Sequence, residues 1–395
     1  MTTAGDFHPT KQYDEIRAGV AKVCAEFPGC YWRDLDQRRA YPAEFVDALI
    51  REGWLAAMIP EEYGGSGLSL AAAAVILEEI HRNGCNAAAC HAQMYTMGTV
   101  LRHGNAEQKA AYLPGIANGS LRLQAFGVTE PTSGTDTLSL KTFARREGDE
   151  YVVTGQKIWI SRAEHSDLMV LLARTTPREE AKSRTDGLSV FLIDMRRLIG
   201  NGLTIRPIRT MMNHATTELF FDEARIPASA LIGEEGKGFR YILSGMNSER
   251  ILIAAECIGD AKWFLEKGSA YAKERQVFGA PIGKNQGVQF PLARAYAQML
   301  AAEGIVYRAA EMYGAGLNPG VEANVAKMLA ADASWAAGEA CLQTHGGFGF
   351  AEEFDVERKF REARLYQVAP ISTNLILCFI AEQVLGLPKS YGTAA

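Results

Sequence analysis

The feature that most constrains the fold is a block of short strand-like runs in the middle of a chain with helical patterning at both ends. Turn residues separate the runs, which read YVVTG, DLMVLLAR, GLSVFLID, LTIRPI and TELFFD. Short β-branched or alternating runs at close spacing are typical of a compact β-domain. On either side of this block the apolar residues recur at helical spacing instead. The sequence therefore predicts an α–β–α order.

Changes in patterning near residues 122 and 233 divide the chain into three predicted domains. We expect an α-helical domain over residues 1–122, a β-domain over 123–233 and a second α-helical domain over 234–395. The longest predicted helices of the last domain are 238–273, 288–313, 321–344 and 372–384. The fold class is therefore α+β.

Composition narrows the class of protein further. The chain has 395 residues, of which 48% are hydrophobic and 22% charged, which is typical of a globular protein. A net charge of -5 disfavours a general nucleic-acid or anionic membrane surface. No apolar signal segment opens the chain, and no uninterrupted apolar run is long enough to span a bilayer. We therefore expect no membrane association and no nucleic-acid partner.

Cysteine usage indicates a reducing compartment. The seven cysteines are scattered and include no C-x-x-C pair, so we expect free thiols and a cytoplasmic location. His81, Cys85, Cys90 and His91 lie close together in the sequence. Their helical phases do not converge on one face, so we expect ordinary packing and no metal site.

The segment from Phe126 to Ser161 indicates a planar ligand. Its first part, FGVTEPTSGTD, is a turn-rich loop of small side chains whose backbone N–H groups suit the edge of a polar ring. Its second part, YVVTGQKIWIS, reads as a strand that ends on Trp159 beside Ser161. A tryptophan at a strand end can cover an apolar ring face. A flavin ring has both kinds of surface.

Six motifs in the same order as in a known family carry a resemblance. They read PEEYGGSGLS, GVTEPTSGTD, GQKIWIS, ERQVFGAPIGKNQ, QTHGGFGF and FREARLYQ. Over essentially its whole length the chain resembles the acyl-CoA dehydrogenases. The resemblance implies a β-barrel-like middle domain and a C-terminal four-helix bundle. It also implies a homotetramer with one FAD per subunit, bound partly across a subunit interface.

The resemblance further implies which residues contact FAD. Those implied to lie around the isoalloxazine ring are Phe126, Val128, Thr129, Gly134, Thr135, Trp159 and Ser161. Those implied to contact the pyrophosphate, the adenosine end or a neighbouring subunit's FAD are Arg275, Phe278, Asn285, Gln286, Gln343, Gly346, Gly347, Ser372, Thr373 and Asn374. The guanidinium fork of an arginine suits phosphate oxygens, and glycine allows close approach of the backbone.

The chain departs from the family where most members carry the catalytic glutamate, in Y-x-x-x-E-G-T. Anchored on Tyr366 and Ser372, Pro370 takes the place of the glutamate and Ile371 that of the glycine. Proline has no N–H, so the backbone donor to the thioester oxygen is lost as well. In the family the FAD ribityl 2′-hydroxyl is one donor to that oxygen. We hypothesise that the Ile371 N–H is a second.

A minority of the family, the isovaleryl- and long-chain-type enzymes, places the glutamate on a long helix within L-x-x-E-R. The segment GMNSER matches this motif, so we predict Glu249 as the base. Helix phase supports the prediction, because Ile242, Met246, Glu249 and Ile253 fall within about 60° of one another. A carboxylate on an apolar stripe is desolvated, which raises its pKa.

Two other interpretations of this helix stay open. Glu249 could be a partly buried glutamate paired with a lysine or arginine, and Glu256 is a weaker candidate for the base. Glu234 and Glu235 lie in a predicted loop, where we expect them to be solvated. The residues predicted to contact the acyl-CoA substrate are Thr135, Asn247, Arg250 and Ile371.

These motifs predict an FAD-dependent acyl-CoA dehydrogenase of lipid metabolism and fatty acid β-oxidation. We expect it to form a trans-2-enoyl-CoA with hydride transfer to flavin N5, and to pass electrons to an electron-transfer flavoprotein. One alternative is a relative with non-dehydrogenase chemistry, such as desulfination. The other is a flavoprotein without redox turnover, or a nucleic-acid-binding relative of the alkylation-response type, which the acidic net charge disfavours.

Overall fold

The computed structural model describes residues 11–390. The first ten residues of the predicted N-terminal domain and the last five of the predicted C-terminal domain lie outside the described residues. Helices dominate both ends of the described chain and strands dominate its middle, as the patterning predicts. No helix within residues 11–390 is long and apolar enough to cross a membrane.

The helices form two groups along the chain. Those before the strands are α1 Asp14–Ala25, α2 Gly29–Arg38, α3 Ala43–Arg51, α4 Leu70–Arg82, α5 Ala88–His103 and α6 Ala106–Ala117. Those after the strands are α7 Gly238–Glu274, α8 Gln286–Gly314, α9 Gly320–His345, α10 Val356–Leu365 and α11 Thr373–Phe379. Helix α4 begins where the Ser69 side chain accepts from the Ala72 N–H at 3.2 Å. It is buried on all sides, which explains its run of Ala and Leu.

The strands form one eight-stranded sheet and one two-stranded hairpin. The sheet contains β1 Leu123–Gly127, β2 Phe143–Glu147, β3 Glu150–Ser161, β4 Leu168–Arg174, β5 Leu188–Asp194, β6 Leu203–Pro207, β7 Thr216–Pro227 and β8 Leu231–Ile232. Its order is β6-β7-β3-β2-β4-β5-β8, and β1 pairs with β4 in parallel. The hairpin joins β9 Gln276–Val277 to β10 Ala280–Pro281.

The described chain forms two compact units. One comprises the chain up to Gln37, Ser69–Ala87 and Asn247 onward, and is helical apart from the small hairpin. The other comprises Arg38–Leu68 and Ala88–Met246 and holds the large sheet. We call them the helical unit and the sheet unit. The predicted domain boundaries near residues 122 and 233 stay predictions.

The core of the sheet unit lies on both faces of strand β4. Alternate residues of β4 enter two separate apolar clusters, Met169 and Leu171 in one and Leu168 and Val170 in the other. A strand buried on both faces has no polar side to display. This explains the uninterrupted apolar run DLMVLLAR.

A buried ionic cluster ties three helices of the helical unit together. Asp260 of α7 lies 2.8 Å from His81 of α4 and 2.5 Å from Lys359 of α10. Lys359 also pairs with Glu362 at 3.1 Å. All four side chains are buried, so the charges of Asp260, Lys359 and Glu362 depend on one another for compensation.

Two elements lie where the sequence patterning did not place them. The charged connector before YVVTG contains strand β2, which pairs with β3 from Phe143 to Glu147. Its backbone ladder holds it although only Ala144 is fully buried. Helix α5 is buried on most of its surface, so its apolar and polar residues show no one-sided period.

Candidate active site

A bulge at the end of strand β3 turns Trp159 outward. Ile158 pairs with Glu218 and Ile160 with Thr217, which leaves Trp159 without a partner residue in the ladder. Its backbone is left-handed, with φ at 61°, and the residue is 57% exposed. Bulges re-aim side chains in this way, and a left-handed tryptophan is an uncommon, strained conformation. The bulge therefore presents a large aromatic face at the surface of the sheet unit.

Ser161 follows two residues later and precedes Arg162, a second residue with a left-handed backbone. Arg162 has φ at 59°, and its N–H donates to the Ala215 carbonyl at 2.7 Å. Its guanidinium lies 3.2 Å from Nδ1 of His214. Burial, reinforced by Arg162, holds the pKa of His214 well below its usual value. His214 is therefore neutral, and its Nδ1 accepts from Arg162.

The loop after β1 presents unused backbone donors. Thr129 accepts from the Ile158 N–H at 2.9 Å, and Glu130 and Ser133 exchange backbone hydrogen bonds at 3.2 and 3.1 Å. In contrast, the N–H groups of Thr129, Gly134 and Thr135 donate to no acceptor within residues 11–390. A side chain added at Gly134 would meet nothing within 4 Å. The loop and the outward Trp159 therefore fit a planar ligand with a polar edge, as FAD has.

A second group of predicted cofactor contacts lies in the helical unit. Phe278 and Gly279 form the turn between β9 and β10, with φ of 52° and 76°, and Phe278 is fully exposed. The Arg275 guanidinium lies 5.6 Å from the ring centre of Phe348. Phe348 lies two residues after Gly346, which follows the end of α9 with a positive φ of 58°. The structure thus brings Arg275 next to the G-G-F segment. That these residues contact FAD stays a prediction.

The other predicted contacts in this unit lie at helix ends. Asn285 precedes α8 and donates through Nδ2 to the Ile282 carbonyl at 3.0 Å, and Gln286 begins that helix. Ser372 caps α11 by accepting from the Leu375 N–H at 3.3 Å. Thr373 Oγ1 is buried without a hydrogen-bond partner in the described chain, whereas Asn374 is exposed. Gln343 lies in the last turn of α9.

Glu249 is a buried carboxylate on α7 without a partner among the described residues. The residue is 8% exposed, and its carboxylate forms no hydrogen bond or ion pair with another side chain within residues 11–390. Burial raises the pKa of its carboxyl from 4.5 to about 7, although the Arg250 guanidinium opposes the change. The alternative of a glutamate ion-paired with a lysine or arginine does not fit this geometry. A carboxylate near pKa 7 in a dry environment is suited to proton transfer.

Arg250 has donors to spare. Its Nη1 donates to Asn247 Oδ1 at 2.9 Å, but its buried Nε has no hydrogen-bond partner in the described part of the chain. Burial lowers its pKa, against the influence of Glu249. An unmatched buried donor is costly, and a polar ligand atom would satisfy it.

Glu256 differs from Glu249 in its surroundings. It accepts from the Tyr366 hydroxyl at 2.9 Å and lies 3.8 Å from His81 Nε2. These contacts place it in the ionic cluster around Asp260 and account for a structural role. Glu235 is likewise engaged, because it accepts from the Tyr151 hydroxyl at 2.6 Å.

The segment at Pro370 is anchored by a lysine that sequence reasoning did not single out. Lys327 of α9 is fully buried, and its Nζ donates to the Ile371 carbonyl at 2.8 Å. The Ile371 N–H donates to no acceptor in the described chain, so the hypothesised second thioester donor stays a prediction. No local signal marks Lys327, because its role depends on a residue 44 positions away in the sequence.

Comparison with known proteins gives matches over most of the chain. Models of the acyl-CoA dehydrogenase N-terminal, middle and C-terminal domains match residues 10–120, 125–224 and 236–385. The acyl-CoA dehydrogenase FadE12 of Mycobacterium tuberculosis is 32% identical over 394 residues, covering 98% of this chain and 100% of that protein. Cyclohex-1-ene-1-carbonyl-CoA dehydrogenase of Syntrophus aciditrophicus is 32% identical over 361 residues, covering 90% and 85%.

A solved structure of a glutaryl-coenzyme A dehydrogenase with glutaryl-CoA matches with a TM-score of 0.90 and 28% identity, over 99% of both chains. These matches define the class of protein, an oxidoreductase with a three-domain fold of helical, sheet and helical parts. The chain belongs to the acyl-CoA dehydrogenase family. Membership confirms the predicted family, fold class and FAD-dependent type of enzyme.

Proposed function

We propose that this protein dehydrogenates a saturated acyl-CoA thioester to the trans-2-enoyl-CoA, with Glu249 as the base. The observation that carries the proposal is the burial of Glu249 on α7 without a partner in the described chain. A structural glutamate in such a place is normally paired, because an unpaired buried charge is costly. An arrangement that keeps the carboxyl desolvated instead supports a role in proton transfer.

The chemistry needs a proton and a hydride to leave neighbouring carbons. The carbon next to the thioester carbonyl loses its proton to Glu249, whose pKa of about 7 leaves it substantially ionised at neutral pH. FAD, when bound, supplies the acceptor for the hydride from the next carbon. Asn247 and Arg250 lie within two positions of the base, and the spare donor of Arg250 suits a polar group of the CoA thioester.

The residues proposed to hold FAD supply two kinds of contact. Trp159 offers an aromatic face, and the loop N–H groups of Thr129, Gly134 and Thr135 offer donors for the polar edge of the ring. In the helical unit, Arg275 supplies the positive charge for the pyrophosphate. Each contact type is what the corresponding part of FAD requires.

We propose an electron-transfer flavoprotein as the electron acceptor and a homotetramer as the assembly. Each turnover leaves two electrons on the enzyme, and a carrier must remove them. Exposed apolar side chains of α8, among them Phe290, Tyr296 and Leu300, support burial against other subunits.

The test is anaerobic mixing of the FAD-loaded enzyme with saturated acyl-CoA thioesters from short to long, including branched ones. We expect bleaching of the visible flavin absorbance and formation of an enoyl-CoA with the preferred chain. Absence of bleaching with every thioester would contradict the proposal.

Pro370 favours one other candidate function. A relative that lacks the usual glutamate could bind a CoA thioester and perform other chemistry, such as desulfination. In that case an acyl-CoA would bind, as measured by calorimetry, without bleaching the flavin. That outcome would replace dehydrogenation with the alternative.

A further inference from the structure

A buried ion pair lies behind the loop that offers its donors to the flavin. Lys157 of β3 is fully buried, and its Nζ donates to Glu130 Oε1 at 2.9 Å. The same Nζ donates to the carbonyl oxygen of Val128 at 3.0 Å. Burial lowers the pKa of Lys157 to about 8, against the influence of Glu130, so the lysine is charged at neutral pH.

Glu130 extends the pair to the far end of the same loop. Its Oε2 accepts from the Lys141 N–H at 2.6 Å, and its Oε1 accepts from the Thr142 N–H at 2.9 Å. Val128 and Glu130 begin the loop, whereas Lys141 and Thr142 end it. One carboxylate and one ammonium group therefore close the loop and fasten both its ends to strand β3.

The strand carries the pair and the aromatic face only two residues apart. Lys157 points into the interior, and the bulge then turns Trp159 outward. The Ile158 N–H between them donates to the Thr129 carbonyl. A shift of the loop relative to β3 would thus change the distance between the loop donors and the Trp159 ring.

A pair that only stabilised the fold would not need these partners. Buried ion pairs are weak sources of stability, and apolar residues of similar volume often replace them without loss. Here the ammonium group also holds the Val128 carbonyl, and the carboxylate holds two backbone N–H groups. Apolar replacements could not make these backbone contacts.

We infer that Lys157 and Glu130 are positioning residues for FAD. They hold the donor loop, residues 128–142, and the Trp159 end of strand β3 at the separation that the flavin ring requires. The inference rests on the proposed function, because it presumes that the flavin binds between these two elements of the sheet unit. Both side chains are buried behind the loop, so we expect neither to touch the cofactor. Their effect on binding is transmitted through the backbone of residues 128–130.

The test compares Lys157→Met, Glu130→Gln and the double variant with the wild-type protein. Apoprotein is titrated with FAD, the visible circular dichroism of the bound flavin is recorded, and the unfolding temperature of each apoprotein is measured. Tyr151→Phe is the matched control, because it removes one hydrogen bond to a carboxylate from the same strand without touching residues 128–142.

We expect each single variant to raise the Kd for FAD about tenfold or more, because each removes a charged hydrogen bond that holds the loop in place, and to change the flavin dichroism. The rise in Kd in the double variant should be smaller than the product of the two single rises, because the two side chains act together. It also leaves no unpaired buried charge, so it remains a usable test if a single variant fails to fold. Tyr151→Phe should keep the wild-type Kd and dichroism.

A wild-type Kd and dichroism in the double variant would overturn the inference, even if its unfolding temperature fell, and would leave the proposed function intact. If the wild-type apoprotein itself takes up no FAD, both the inference and the proposed function are wrong.

Discussion

At the scale of single residues, two glutamates on one helix differ in their surroundings. Glu249 and Glu256 are both buried on α7, but within residues 11–390 only Glu256 has side-chain partners, Tyr366 and His81. Their helical phases alone left both open as the base. The difference comes from residues of other helices that the α7 sequence does not contain.

The pKa of Glu249 predicts how activity depends on pH. The base must be ionised to remove a proton, so kcat/KM should rise about tenfold per pH unit below pH 7 and level off above it. Stopped-flow measurement of flavin reduction at low substrate concentration, over roughly pH 5.5 to 8.5, gives this profile. A profile that is flat through pH 7 would contradict the raised pKa.

The same shift predicts how stability depends on pH. Glu249 holds its proton more tightly in the folded protein than in the unfolded one. Its contribution to the free energy of unfolding is therefore complete below about pH 4.5 and is lost as pH rises through 7. Glu249→Gln avoids that loss. The free energy of unfolding of the variant, relative to that of wild type, should therefore rise by up to about 3 kcal/mol between pH 4.5 and pH 8. Urea unfolding at both pH values measures the difference, and parallel curves would contradict it.

At the scale of elements, the long helices and the apolar strands were predictable, and the irregular elements were not. Helix α7, predicted over 238–273, spans Gly238–Glu274, because its apolar spacing and its lack of proline are local properties. Strand β2 depends on pairing with β3, and the FARRE sequence gives no apolar alternation to mark it. The sequence placed Trp159 at a strand end, but the bulge that turns it outward depends on β7.

Gly155 offers a test of how closely β3 and the donor loop must approach. Its φ is 150°, and an added Cβ would lie 2.6 Å from the Thr142 Cα. We expect Gly155→Ala to lower the free energy of unfolding by about 3 kcal/mol or more, because backbone strain and the steric overlap of the added Cβ act together. Gly148→Ala is the control, since it is also left-handed but has open space, and should cost about 1 kcal/mol. Chemical unfolding compares the two, and equal losses would show that the close approach is unimportant.

At the scale of the whole molecule, the order of helical and sheet parts follows from the patterning along the chain, and the family follows from six motifs in sequence order. The comparisons confirm both. The assembly and the acyl chain length do not follow. They depend on surfaces and pocket depths that are set by packing over long sequence distances. The resemblance implies a tetramer, and the exposed apolar side chains of α8 offer a place to test it.

Substitutions on α8 test the proposed tetramer. Tyr296→Glu and Leu300→Glu place charges on exposed apolar positions, so we expect light scattering to report smaller assemblies than for wild type. Gln298→Glu adds a charge to an exposed polar position of the same helix and should leave the mass unchanged. If all three variants keep the wild-type mass, α8 does not form the interface.

The measurement that tests the central claim most directly is anaerobic flavin reduction in Glu249→Gln, with Glu256→Gln as the matched variant. Both enzymes are loaded with FAD and mixed with the thioester that bleaches wild type fastest. We predict that Glu249→Gln retains FAD but loses bleaching by a factor of about 10³ or more, as loss of an essential base does. Glu256→Gln keeps an acceptor for Tyr366 and should bleach at a rate near wild type. Near-normal bleaching in Glu249→Gln would contradict its assignment as the base.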